Sequence, residues 1–225
     1  MLPRIVFLFD VDNTLLDNDA IINELGEFMT KTLGVAHNRR YWEIFEQCRN
    51  ELGYADYLGT LQQYRRETPH DPQLTAISSF LLNYPFKTRL FEHAISVLHY
   101  VREFGSAVIL TDGDVVFQPL KIQRSGILNA VLGKVLIYVH KEKEMQDAVL
   151  RYPADHYVFV DDKIRLLTAI KEILGDRVTT VFPRQGHYAF ADDVAKYPAA
   201  DFTINHISEM LTITRDIVRS VRTSD

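Results

Sequence analysis

The sequence predicts an α/β protein: a doubly wound parallel sheet interrupted by an all-helical insert. Three observations lead there. Short apolar runs of strand type alternate with amphipathic helical segments from residue 92 onward, the pattern of parallel strands joined by crossover helices. The first such run, residues 4–9, is apolar from Ile5 onward, as befits a strand covered on both faces. Between that strand and the next, residues 19–82 carry helical periodicity and no convincing strand.

Taken in order, residues 4–9 form the first strand and lead into an insert with helices at about 19–33, 40–52, 54–67 and 72–82. In the first helix Ile21, Ile22, Leu25, Phe28, Met29 and Leu33 recur at helical spacing, and Gly34 is a natural stop. Thr68-Pro69-His70-Asp71-Pro72 breaks the third helix from the fourth. Alternation resumes after Tyr84-Pro85. A helix at 92–104 ends before Gly105, and a strand follows at 106–110. Next come a helix around 116–125, a strand at 134–139, a helix at 142–151 and a strand at 156–160. The helix at 163–174 has Ile164, Leu167, Ile170 and Leu174 on one face and Gly175 just past its end. Strands at 178–182 and 201–204 and a helix from about 207 complete the chain. The expected division is a sheet domain of residues 1–16 and 89–225, with the insert at 17–88.

The bulk numbers agree with one large domain, or one domain carrying an insert: 225 residues, 47% of them apolar. The formal net charge of −5 comes with no basic run, so a nucleic-acid surface is not expected. Cys48 is the only cysteine, which excludes an intrachain disulfide and a cysteine zinc cage and fits a reducing compartment. The apolar stretch before Asp10 is too short for a signal peptide or a membrane span, so the expectation is a soluble, cytoplasmic protein. No internal repeat or low-complexity segment is visible.

Chemistry concentrates where strands end. The run Ile5-Val-Phe-Leu-Phe9 stops at Asp10, followed by Asp12 and Thr14. The C-terminal ends of strands are where open α/β sheets bind ligands. Two like charges so close repel, and burial makes each ionised form costlier, so a bound cation is the simplest way to keep both. The pair reads as a metal-assisted site in which one carboxylate is free to act as nucleophile and the other as acid or base. The competing reading, a turn built from common turn residues, weakens as other strand ends are added.

The strand at 106–110 ends in Thr111-Asp112-Gly113, a hydroxyl and a tight turn able to offer donors to a phosphate oxygen. The strand at 134–139 is followed by His140-Lys141-Glu142-Lys143, and a lysine at a strand mouth can hold a phosphoryl group and offset carboxylates. Of the two lysines, Lys141 is chosen because Met145, Ala148 and Val149 then follow at helical spacing on one buried face. The strand at 156–160 ends in Asp161-Asp162, which can cap the next helix, coordinate a hard cation such as Mg²⁺, or do both. A parallel sheet gathers all four ends on one edge.

Asp10-Val-Asp-Asn-Thr14, Thr111 with Asp112-Gly113, Lys141, and Asp161-Asp162 resemble, in order and spacing, the four motifs of the haloacid dehalogenase-like hydrolase superfamily. The resemblance spans nearly the whole chain. It implies a Rossmann-like core, with the helical insert in the position of the family's α-helical C1 cap. It further implies that Asp10 attacks phosphorus to give an aspartyl-phosphate, and that Asp12 protonates the leaving oxygen and then activates water. Thr111, Asp112 and Gly113 would bind the phosphoryl oxygens, the first through its side chain and the others through nearby backbone N–H groups. Lys141 would steady nucleophile and phosphate. Mg²⁺ would be held by Asp10, by the backbone carbonyl of Asp12, and by Asp161 or Asp162, with Asp161 ranked first because it is nearer the strand.

The chain departs from the pattern at Asn13, and its third motif is ambiguous because Lys141 and Lys143 both lie near the strand end. Asn13 stands where many members carry Gly. The haloacid dehalogenases lack the second acid of the first motif, so Asp12 points to phosphate rather than carbon–halogen chemistry. The function expected is a Mg²⁺-dependent phosphomonoester hydrolase acting on a small phosphorylated metabolite, with no nucleic-acid or membrane partner. The alternatives are a phosphoryl-transferring sugar phosphomutase and a non-catalytic binding domain of the same fold. Asn18, Asn23, Tyr54 and Tyr57 of the insert are candidates for facing the substrate, and His187 for the rim of the site.

Overall fold

The computed structural model describes residues 3–223; residues 1–2 and 224–225, the outer ends of the expected sheet domain, lie outside the described residues. The apolar run near the N-terminus forms β1 (Ile5–Phe9), every residue of it buried. Five further strands are described: β2 (Ser106–Asp112), β3 (Val135–Tyr138), β4 (His156–Val160), β5 (Val178–Pro183) and β6 (Phe202–Ile204). All pair in parallel, in the order β3-β2-β1-β4-β5-β6. β1 is thus internal, and alternate residues face opposite layers. Phe7 and Phe9 pack with the helices of one layer, α5 (Ala94–Val101), α6 (Phe117–Ser125) and α10 (Met210–Thr223), through Val97, Leu98, Ile122 and Ile217. Val6 and Leu8 pack on the other face with α8 (Met145–Arg151) and α9 (Ile164–Leu174), through Met145, Ala148, Leu167 and Ile170. The doubly wound expectation holds.

The insert follows β1 as four helices: α1 (Asn18–Leu33), α2 (Val35–Leu52), α3 (Tyr57–Glu67) and α4 (Leu74–Asn83). They share a buried set that includes Leu25, Met29, Tyr41, Phe45, Tyr64 and Leu81. Asp17 caps α1, its Oδ1 accepting the Ala20 amide at 2.9 Å. The chain leaving the sheet and the chain returning to it run side by side. The Asp17 amide donates to the Arg89 carbonyl (2.7 Å) and the Phe91 amide to the Leu15 carbonyl (3.0 Å). Nearby, Glu24 pairs with Arg89 and accepts the Tyr84 hydroxyl.

Several boundaries differ from the sequence reading. α2 starts at Val35, not near 40, because Gly34 closes one helix and opens the next with no linker between them. α5 is shorter than expected, spanning Ala94–Val101. β2 continues through Asp112, which stays in register with Tyr138. The expected helix at 142–151 begins only at Met145, because Lys141–Lys143 forms a separate 3₁₀ turn. A short helix, α7 (Ile127–Ala130), was not expected. Among the described residues no helix is long and apolar enough to cross a membrane.

Candidate active site

The sheet ladder itself carries two of the acids to one place. The Asp10 amide donates to the Val160 carbonyl (3.0 Å) and the Asp161 amide to the Val181 carbonyl (3.2 Å), so each residue continues its strand by one position. Asp10, Asp161 and Asp162 are all buried, and an oxygen from each lies within 4.8 Å of the others. Lys141 enters from the turn after β3. Its ammonium is 2.5 Å from Asp10 Oδ1 and 2.6 Å from Asp161 Oδ2, and the side chain is 1% exposed. The contact with Asp161 is an ion pair without hydrogen-bond alignment. The other lysine of the pair, Lys143, is exposed.

The electrostatics follow from three acids against one central cation. Burial pushes Asp161 and Asp162 above the usual carboxylate range; the positive charge of Lys141 opposes this at Asp161, and that of Lys163 at Asp162. Burial alone would lower the Lys141 ammonium, but Asp10, Asp161 and Asp112 outweigh it and hold the group above its ordinary value. Lys163 is shifted upward in the same way, chiefly by Asp162. Asp10 Oδ2 and both oxygens of Asp162 are buried with no hydrogen-bond partner among the described residues. Buried carboxylate oxygens without donors are costly, and three beside one another are the donor set of a hard divalent cation. Asp161 is more committed, since its Oδ1 accepts the Lys163 amide at 2.8 Å. Asp161 Oδ2 faces the Lys141 ammonium, whereas both Asp162 oxygens are without a hydrogen-bond partner among the described residues.

Asp12 stands apart from this buried group. Its side chain is 27% exposed, and both oxygens accept from the Lys121 ammonium, at 2.7 and 2.9 Å. Asn13 takes the left-handed conformation (φ 59°), which asparagine tolerates better than most residues and which suits a position often held by glycine. Its Oδ1 accepts the amides of Asn18 and Asp19, so it helps start α1. Thr14 Oγ1 accepts the Asp162 amide at 3.1 Å and ties the first loop to the fourth. Gly186 lies over Asn13: a Cβ there would be 2.4 Å from that side chain, and the backbone is at φ 68°.

The second strand end is only partly as expected. Thr111 is buried and its hydroxyl accepts from Gln118 Nε2 at 3.0 Å. The Asp112 carboxylate accepts the Lys141 amide at 2.7 Å, and burial, opposed by Lys141, pushes it up to about 6. Gly113 needs correction. Its amide already donates to the Tyr138 carbonyl at 3.0 Å and is not free for a phosphate oxygen. What the glycine supplies is room, because a Cβ would lie 2.7 Å from Gln118 Cβ.

A cavity of about 320 Å³ at the same sheet edge has Asp12, Asn13, Asp112 and Lys163 in its wall, while Asp10, Lys141, Asp161 and Asp162 are not among its lining residues. The insert contributes Asn18, Phe45, Tyr54 and Tyr57, and the late loop contributes His187 and Tyr188. Asn23 does not line it and is exposed. Five residues past Asn18, it is rotated by about 140° on the helix, whereas Ile22, four residues on, faces the cavity. His187 is held at the rim by Asp19, through its amide and its Nδ1, both at 2.7 Å. Lys121, Gln118 and Gln185 were not singled out from sequence. Gln185 is buried, donates to the Thr14 carbonyl at 3.2 Å and accepts the Ile207 amide.

No family model and no curated protein matches the chain. Solved structures do. A protein of Burkholderia xenovorans LB400, classed with the haloacid dehalogenase-like hydrolases, is 53% identical, with a TM-score of 0.89 over 92% of this chain and 97% of its own. YfnB of Bacillus subtilis, classed as a HAD-hydrolase and bound to magnesium, shares the fold at 14% identity (TM-score 0.60; 93% of this chain, 98% of that one). So does the L-2-haloacid dehalogenase of Xanthobacter autotrophicus, also 14% identical (TM-score 0.58; 93% and 98%). With a parallel sheet that delivers Asp10, Lys141, Asp161 and Asp162 to one edge, and a relative more than half identical over nearly its full length, the chain belongs to the haloacid dehalogenase-like hydrolases.

Proposed function

We propose that the protein is a Mg²⁺-dependent phosphomonoester hydrolase in which Asp10 is the nucleophile. The observation that carries this reading is the pairing of two different carboxylate environments. Asp10 is buried beside Lys141 and the Asp161–Asp162 pair, whereas Asp12 reaches the cavity. A carbon–halogen substrate expels a halide and needs no proton donor. An ester expels an alkoxide and does, and the partly exposed Asp12 carboxylate in the cavity wall supports that role for it.

Three buried, unpartnered carboxylate oxygens fit a magnesium ion held by Asp10 and Asp162, with Asp161 and the Asp12 carbonyl as further donors. When bound, the ion supplies positive charge against the phosphoryl oxygens. The chain's own groups do the rest. Lys141 holds the Asp10 carboxylate in place and adds a second positive charge. An Asp10 oxygen forms a bond to phosphorus as the ester P–O bond breaks, and the leaving oxygen takes the bond's electron pair and the Asp12 proton. Asp12, now a carboxylate, takes a proton from water. The hydroxide attacks phosphorus, the Asp10–phosphorus bond breaks, and phosphate and the free carboxylate are released. Residues 17–88 would act as a cap on this site, excluding water and selecting the leaving group.

The test is a panel of phosphomonoesters, with 2-haloacids alongside, assayed with Mg²⁺ and with EDTA. Phosphate release that needs Mg²⁺ and disappears in Asp10→Asn is expected. Halide release without phosphate release, or full turnover by Asp10→Asn, would overturn the reading.

A further inference from the structure

Among the described residues, Lys121 is a buried cation that the mechanism has not used. We propose that Lys121 is a positioning residue for Asp12, fixing the direction in which that carboxylate faces the cavity; this rests on the hydrolase reading above.

Lys121 lies on α6, is 1% exposed, and has its ammonium 5.4 Å from the centre of the Phe117 ring. An ammonium in such surroundings is costly unless every proton is taken up. Here three acceptors are in reach: Asp12 Oδ1 (2.7 Å), Asp12 Oδ2 (2.9 Å) and Asn18 Oδ1 (3.1 Å). Both carboxylate oxygens are gripped from one side, which leaves Asp12 little freedom to rotate. The two ends of this ion pair differ in exposure. It is hidden at the lysine and open at the aspartate, which forms part of the cavity wall. The third acceptor extends the grip to the insert, since Asn18 opens α1 and its Nδ2 donates to the Tyr57 hydroxyl at 3.3 Å. The chain Asp12–Lys121–Asn18–Tyr57 therefore crosses from the sheet edge to the insert, and the insert's seating bears on the aim of the carboxylate.

A misdirected proton donor harms a poor leaving group more than a good one, because the good one departs with little help. Kinetics of Lys121→Met with Mg²⁺ on phenyl phosphate and p-nitrophenyl phosphate read this directly. We expect kcat/KM, which reports the steps through ester cleavage and not the later hydrolysis common to all esters, to fall on the order of 100-fold for phenyl phosphate and under about tenfold for p-nitrophenyl phosphate. In an Asp12→Ala background the same substitution should add almost nothing. An equal fall in kcat/KM on both esters or an additive double variant overturns the proposal. If circular dichroism shows that Lys121→Met does not fold, Asn18→Leu takes its place and should show the same leaving-group bias more weakly; a uniform loss or none then overturns it. Wild-type protein that releases no phosphate from any ester defeats the hydrolase reading and this proposal with it, whereas wild-type turnover with an unbiased Lys121→Met defeats this proposal alone.

Discussion

Lys141 and Asp10 form a buried ion pair across 131 residues of chain, the ammonium 2.5 Å from the carboxylate. Removing one partner of such a pair strands the other charge, which typically costs about 3–5 kcal/mol. Lys141→Met should therefore lose that much stability in urea unfolding, and the double variant with Asp10→Asn should recover part of it. A single variant as stable as the wild type would show that the pair holds nothing together.

Magnesium should stabilise the folded protein, because it partners oxygens that otherwise have none. At one hundred times its dissociation constant the gain is about 2.7 kcal/mol, a readable thermal shift. Asp162→Asn should raise the stability of the metal-free protein by roughly 1–3 kcal/mol, by removing an unpartnered buried charge, and should abolish the magnesium-induced shift. An unaltered shift in that variant would remove Asp162 from the ligand set.

Metal-free stability should rise as pH is lowered from 7 to about 5. Asp112, pushed up to about 6, and the raised Asp161 and Asp162 hold protons in the folded state at pH values where the unfolded chain has released them. Their contribution is full below the ordinary carboxylate pKa and is lost as pH climbs through the raised values. Asp112 is only half-buried, so its share is on the order of 1 kcal/mol after screening. Thermal melts of wild type and Asp112→Asn across this range measure it; a slope that is the same in both proteins removes Asp112 from the account.

The insert should govern which ester is preferred. Tyr54→Ala alters the cavity wall and is expected to reorder a substrate panel by several-fold in kcat/KM, while Asn23→Ala, off the cavity, leaves the order intact. Lys141→Ala should depress every ester alike, since all share the phosphoryl group. A panel reordered by Lys141→Ala and untouched by Tyr54→Ala would reverse this division of labour.

The four strand ends were legible because each joins an apolar run to a reactive side chain, and a parallel sheet brings such ends together whatever the loops do. Lys121 was not legible. On sequence it is one lysine in an amphipathic helix, and a lysine there is ordinarily read as part of a solvated face, although its spacing of four from Phe117 puts it on that apolar residue's side. Only the packing of α6 against the first loop buries it against Asp12. Gly113 misled for the opposite reason: a glycine after a strand suggests a free amide, but β2 runs two residues longer than its apolar run and the ladder takes that amide. Asn23 failed on helical phase, a matter of one residue.

The internal place of β1 has a consequence for how the chain is made. Its partners in the sheet are distant: Val6 pairs with Ser106 on one side and Tyr157 on the other. During synthesis this five-residue apolar segment emerges before either of its sheet partners and has no edge among them to join until β2 has left the ribosome, so its aggregation-prone backbone waits while the helices between are translated. Those helices make mostly local contacts and can form early, and the hydrogen bonds that join Leu15 to Phe91 and Asp17 to Arg89 then bring the two ends of a long loop together. An insert that forms first would thereby shorten the search by which β1 finds β2.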